Sequence, residues 1–82
     1  MNEHIQRLLA VIDAYETGDP IKDTTLSFRV FGDSKTIGLL RGGADITTGR
    51  LQRAMEWLSD HWPENGAWPD DVHRPDAARS AA

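Results

Sequence analysis

Apolar side chains recur at Ile5, Leu8, Leu9 and Ile12, with Val11 and Tyr15 flanking them and polar or charged residues between. This i, i+3, i+4, i+7 spacing predicts an amphipathic helix with one buried face. Asn2 is placed to cap its start, and Glu3 falls in the first turn, where a negative charge meets the positive end of the helix dipole. Thr17-Gly18-Asp19-Pro20 is expected to end the helix, with Gly18 as a left-handed cap and Pro20 unable to continue it. A second stripe, Leu51, Ala54, Met55, Leu58 and Trp62, predicts a closing helix that Pro63 stops. Trp57 and His61 lie beside that stripe, where the edge of the core or a partner subunit would meet them.

Between these helices, residues 24–43 carry two periodicities at once. Leu26 and Val30 are four apart, and Ile37 and Leu40 are three apart, with Phe31-Gly32-Asp33 between the pairs. Two short helices meeting across a tight turn would use these positions, with Asp23, Thr24 or Thr25 capping the first near Leu26 and Gly42-Gly43 ending the second. The same stretch also alternates, with Leu26, Phe28 and Val30 on one side and Ser27, Arg29 and Phe31 on the other. Such alternation fits a strand, and Gly32-Asp33-Ser34 fits a hairpin loop leading into Lys35–Leu40. Two architectures therefore stand: an all-α domain of four helices, or an α-β-β-α arrangement. Beyond Pro63 no periodicity survives. Residues 1–62 read as the domain and 63–82 as an extended, acidic, Pro-rich tail, with Trp68 docked on the body and residues 76–82 disordered.

Composition changes the picture in one respect. The net charge of −4 speaks against a polyanionic partner, but the charge is unevenly distributed. Residues 22–53 hold Lys22, Arg29, Lys35, Arg41, Arg50 and Arg53 against three acids, whereas the segments on either side are acidic. The basic segment coincides with the two short helices, and local charge governs affinity for phosphate backbones. At 82 residues the chain is one small domain, and without cysteine it has neither a disulfide framework nor a thiolate metal site. The first sixteen residues are too regularly interrupted by charge for a signal peptide or a membrane span.

Leu26-Ser27, Val30, Ile37, Leu40 and Gly43, followed by a polar loop and an amphipathic helix, resemble the lambda-repressor-like helix-turn-helix group, the Cro, phage-repressor and XRE-type regulators. The similarity spans about residues 24–62. The chain departs from that pattern in having Phe31 where a turn glycine is common, with its own glycine one place later at Gly32, and in having Gly38 inside the second helix. The resemblance implies a small four-helix domain that reads double-stranded DNA with a recognition helix at about 33–41. It implies a transcriptional regulator, a repressor, acting as a homodimer in the cytoplasm near the nucleoid.

Carried onto this chain, the resemblance puts Ser34, Lys35 and Thr36 at the start of the recognition helix, facing base edges. Lysine bonds guanine O6 and N7, and serine or threonine serves several bases. Leu39 projects from the same side toward a thymine methyl. Lys22, Arg29, Arg41 and Arg50 are placed for phosphates, and the backbone N–H groups opened by Thr47 and Thr48 form a further phosphate site.

Catalytic chemistry has little support in the chain. His4, His61 and His73 lack ligand spacing, and Arg41-Gly42-Gly43-Ala44 lacks the Lys-Ser/Thr of a phosphate loop. No cofactor, metal or small-molecule ligand is implied. The rival to DNA binding is a small protein-interaction module, such as a phage- or plasmid-borne inhibitor of a host protein, using the 24–41 hairpin and its acidic flanks.

Overall fold

The computed structural model describes residues 3–74. Four helices follow one another: α1 (Glu3–Gly18), α2 (Asp23–Phe31), α3 (Thr36–Arg41) and α4 (Thr48–Asp60). Among the described residues there is no strand, so the α-β-β-α alternative is overturned. The reason lies in Phe28. A strand would bury it beside Leu26 and Val30, yet Phe28 is 63% exposed while Leu26 is fully buried. Helical spacing puts Leu26 against Ile37 and Leu40 and turns Phe28 outward.

Each helix contributes to one core. Ile5, Leu8, Val11, Ile12 and Tyr15 come from α1, Leu26 from α2, Ile37 and Leu40 from α3, and Ala54 and Leu58 from α4. Each fully buried Leu, Ile or Val contributes on the order of 1.5–3 kcal/mol. The buried stripe of α1 is rotated slightly from the expected one: Val11 and Tyr15 lie inside it, and Leu9 is only partly buried. In α4 the expected stripe is buried at Ala54 and Leu58, with Ser59 also enclosed; Leu51 and Met55 are only partly buried and pack at its margin with Trp57, and Trp62 packs there from beyond the helix end at Asp60.

The α2–α3 junction has a local cause at each residue. Gly32 follows α2 with φ of 84° and donates its N–H to the Phe28 carbonyl at 2.9 Å, a left-handed cap that glycine adopts without steric cost. Ser27 is fully buried, and its Oγ accepts the N–H of Ile37 at 3.1 Å. Its small side chain lets the two helices approach closely while satisfying an N–H at the start of α3. Gly43, with φ of 104°, ends the unit.

Two expected caps differ. α2 begins at Asp23, with Lys22 at the cap position and no side-chain capping bond, because a lysine ammonium has no acceptor; the Asp23 carboxylate is engaged by Arg41. Gly18 is not left-handed; positive φ occurs only at Gly32 and Gly43 among the described residues. Gly18 serves close packing, since a Cβ there would sit 2.6 Å from the Cα of Gly66. Asn2 lies outside the described residues.

After α4 the chain folds back over the body as a strap, residues 62–74. Two tight turns shape it, Gly66 N–H to Pro63 O at 3.1 Å and Val72 N–H to Pro69 O at 3.2 Å. Trp62 Nε1 donates to Gly66 O and Trp68 Nε1 to Val72 O, each at 2.8 Å. Val72 is buried in the core, and Arg74 donates to both Oγ and O of Ser59 at 2.9 Å. Trp68 docks as expected, but the strap is part of the globular body rather than a tail appended at residue 62. The disorder expected at 76–82 falls outside the described residues. Among the described residues, no helix is long and apolar enough to cross a membrane.

Candidate nucleic-acid interface

The start of α3 is built on Asp33. Its Oδ1 accepts the backbone N–H groups of Lys35 and Thr36, both at 2.9 Å, and the Thr36 hydroxyl at 2.8 Å. A carboxylate that accepts this many bonds is favoured in its charged form, so the Asp33 pKa lies below the ordinary range, the Thr36 hydroxyl contributing most and the Lys35 N–H next.

This capping corrects one expectation. Thr36 does not face outward: it is 8% exposed and its hydroxyl is held by both Asp33 oxygens. Position 36 falls on the inner side of α3 together with Ile37 and Leu40.

The outer side of α3 is formed by Ser34, Lys35, Gly38 and Leu39, all exposed, with Leu39 at 58%. At Gly38 it carries no side chain and faces open space, where an added Cβ would meet nothing within 4 Å. Arg50 stands beside this face. Its Nη2 is 3.9 Å from Asp33 Oδ2, and its guanidinium lies 5.6 Å from the centre of the Phe31 ring. Thr47 caps α4, its Oγ1 accepting the Arg50 N–H at 3.3 Å, so the hydroxyl seats Arg50's backbone while Thr48 stays exposed. Lys22 and Arg53 are exposed as well. Arg29 is exposed but has a partner, reaching the hydroxyl of Tyr15, whose pKa is raised chiefly by burial.

Arg41 is the second correction. It was expected on the phosphate-binding side, but its Nε lies 2.7 Å from Asp23 Oδ2, and its Nη2 lies 2.8 Å from Asp13 Oδ1 and 3.1 Å from Asp23 Oδ1. Glu16 Oε1 is 3.9 Å from the same nitrogen. Carboxylates from α1 and α2 thus enclose the guanidinium, raising its pKa further above the ordinary value, Asp23 first, and making Arg41 a staple between three helices.

The fold therefore brings Ser34, Lys35, Leu39 and Arg50 to one region, and turns Thr36 and Arg41 to structural work. Phe28 and Arg53 are exposed residues that the candidate set omitted. The outward turn of Phe28 follows from helical spacing once the strand pattern is set aside. Elsewhere, His4 and His73, distant in sequence, line one groove with Arg7, Leu51, Met55 and Val72. Among the described residues no group of three or more His, Cys, Asp or Glu is arranged to hold a metal ion. Compared with protein-family models, with curated proteins and with solved structures, the chain matches none.

Proposed function

We propose that this protein binds double-stranded DNA sequence-specifically through the α2–turn–α3 unit, as a lambda-repressor-like transcriptional regulator that represses its target as a homodimer. The observation that carries this reading is the two-sidedness of α3. Thr36, Ile37 and Leu40 anchor the helix inward, leaving Ser34, Lys35, Gly38 and Leu39 as a narrow outer face flanked by Arg50. A second helix held across a short glycine-containing turn is the arrangement by which helix-turn-helix proteins enter the major groove. Lys35 supplies a donor for guanine and Leu39 an apolar contact for a thymine methyl, while Lys22, Arg29 and Arg50 suit phosphates. A domain of this size gains specificity by pairing on a two-fold site.

The test is selection of bound duplexes from a random pool at two salt concentrations. The expected result is an enriched two-fold motif whose affinity falls as salt rises; a pool that returns unenriched overturns the reading. One observation favours a second reading, a protein-interaction module. Phe28 and Leu39 are large apolar side chains exposed at 63% and 58%, on a chain of net charge −4. Under that reading Phe28→Ser abolishes partner binding, and the protein fails to bind heparin at low salt.

A further inference from the structure

Asp13 and Glu16 from α1, Asp23 from α2 and Arg41 from α3 converge on one point. Three carboxylates there face one guanidinium, and they are not equivalent. Asp13 and Asp23 each accept a short bond from Arg41, at 2.8 and 2.7 Å. Glu16 has no such bond: its Oε1 stands 3.9 Å from Arg41 Nη2, and its Oε2 is buried without a hydrogen-bond partner. The Glu16 and Asp23 carboxyls are nevertheless neighbours, since Glu16 Oε1 and Asp23 Oδ1 stand 3.9 and 3.1 Å from the same nitrogen, Arg41 Nη2. As an ion, a buried carboxylate oxygen beside another carboxylate is unsatisfied and repelled. As an acid, it carries an O–H that Asp23 can accept.

We propose that Glu16 holds a proton that it donates to Asp23, and that this shared proton is a pH-sensitive latch fastening α1 to α2 and to the last residue of α3. The charged groups facing Glu16 are Asp13 on its own helix, Asp23 on α2 and Arg41 on α3. Burial pushes the Glu16 pKa up to about 7, Asp23 and Asp13 push the same way, and Arg41 opposes them. Asp23 moves in the other direction, held below its ordinary value by Arg41 first and by Glu16 second. As pH rises, the Glu16 proton passes to water, and two carboxylates are left facing each other with no hydrogen between them.

The sign of the effect follows. A carboxyl whose pKa is higher folded than unfolded gives stability that is complete below its unfolded value of about 4.5 and is lost as pH rises through about 7. Asp23 acts oppositely, contributing above its unfolded value and losing that contribution in acid. The junction is therefore tightest in the weakly acidic range. None of this depends on DNA binding.

The experiment is thermal unfolding of the full chain and of Glu16→Gln from pH 5.5 to 8.5 at constant ionic strength. Glutamine keeps the shape and offers Asp23 an N–H at every pH. The parent is expected to lose thermal stability between pH 6 and 8.5. Glu16→Gln is expected to lose less over that interval and to exceed the parent at pH 8.5, the histidines being common to both. Carboxyl-carbon NMR of Glu16 in the parent supplies a reading that needs no variant, with an expected midpoint near 7. A Glu16 midpoint in the ordinary carboxylate range, or a variant with the parent's full pH slope, overturns the proposal. If Glu16→Gln does not fold, the NMR midpoint decides alone.

Discussion

Arg41 and Arg50 are both arginines of the basic segment, and their surroundings give them opposite roles. Arg41 is enclosed by Asp13, Asp23 and Glu16, whereas Arg50 has one distant carboxylate and an aromatic ring beside it. Arg41→Ala is expected to destabilise the fold by about 1–2 kcal/mol, less than for a buried pair because its side chain is one-third exposed. Urea unfolding measures this. Arg50→Ala should leave the urea midpoint nearly unchanged and instead lower affinity for every duplex while flattening its salt dependence. Lys35→Ala is expected to weaken the selected site by about 1–3 kcal/mol and to relax preference at one base pair, read by competition between duplexes. Counting charges along the sequence treats these residues alike. The carboxylates that capture Arg41 stand 18 to 28 positions away in the chain, so no local pattern reveals them.

At the scale of the element, α3 is six residues long and depends on its neighbours. An isolated helix of that length is unstable in water, so Asp33 at its start, Ser27 beneath it and Arg41 at its end must hold it. Gly38 weakens it further and faces open space. Gly38→Ala is therefore expected to raise stability by up to about 1 kcal/mol while weakening duplex binding, because the new methyl thickens the approaching face. A variant more stable and equally tight on DNA would place the contact elsewhere.

Much at this scale was legible beforehand. The 3.6-residue stripes locate α1 and α4, and the positions of Leu26, Val30, Ile37 and Leu40 locate the turn between two short helices. The competing strand pattern in 24–31 could be settled only by burial, since both periods fit Leu26 and Val30 and differ at Phe28. The inward turn of Thr36 was hidden for a similar reason: a polar residue inside a helix is buried only when a partner such as Asp33 is in place.

For the molecule as a whole, the unforeseen feature is the strap. Val72 sits in a core otherwise built from the four helices, and Gly18 lets residue 66 approach α1 at backbone distance. Aperiodic sequence rich in proline and acids points only to the docking of Trp68, because one inserted side chain and two indole hydrogen bonds leave no repeating pattern. In so small a domain each core residue is a sizeable share of net stability. Val72→Ala is expected to cost about 2 kcal/mol, and a chain cut after Trp62 to unfold at markedly lower urea. An unchanged midpoint for the shortened chain would show that the strap merely lies on the surface.

Trp57, Trp62 and Trp68 all belong to one seam, linked through the Tyr15 ring and ending at the strap, and none lies on α2 or α3. Intrinsic emission of this protein is accordingly a gauge of whether that seam is zipped. A macromolecule grasped by α3 would leave the signal dark to direct contact. Any spectral change on such docking would instead report a disturbance relayed to that seam, for which Arg29 beside the Tyr15 hydroxyl offers a route.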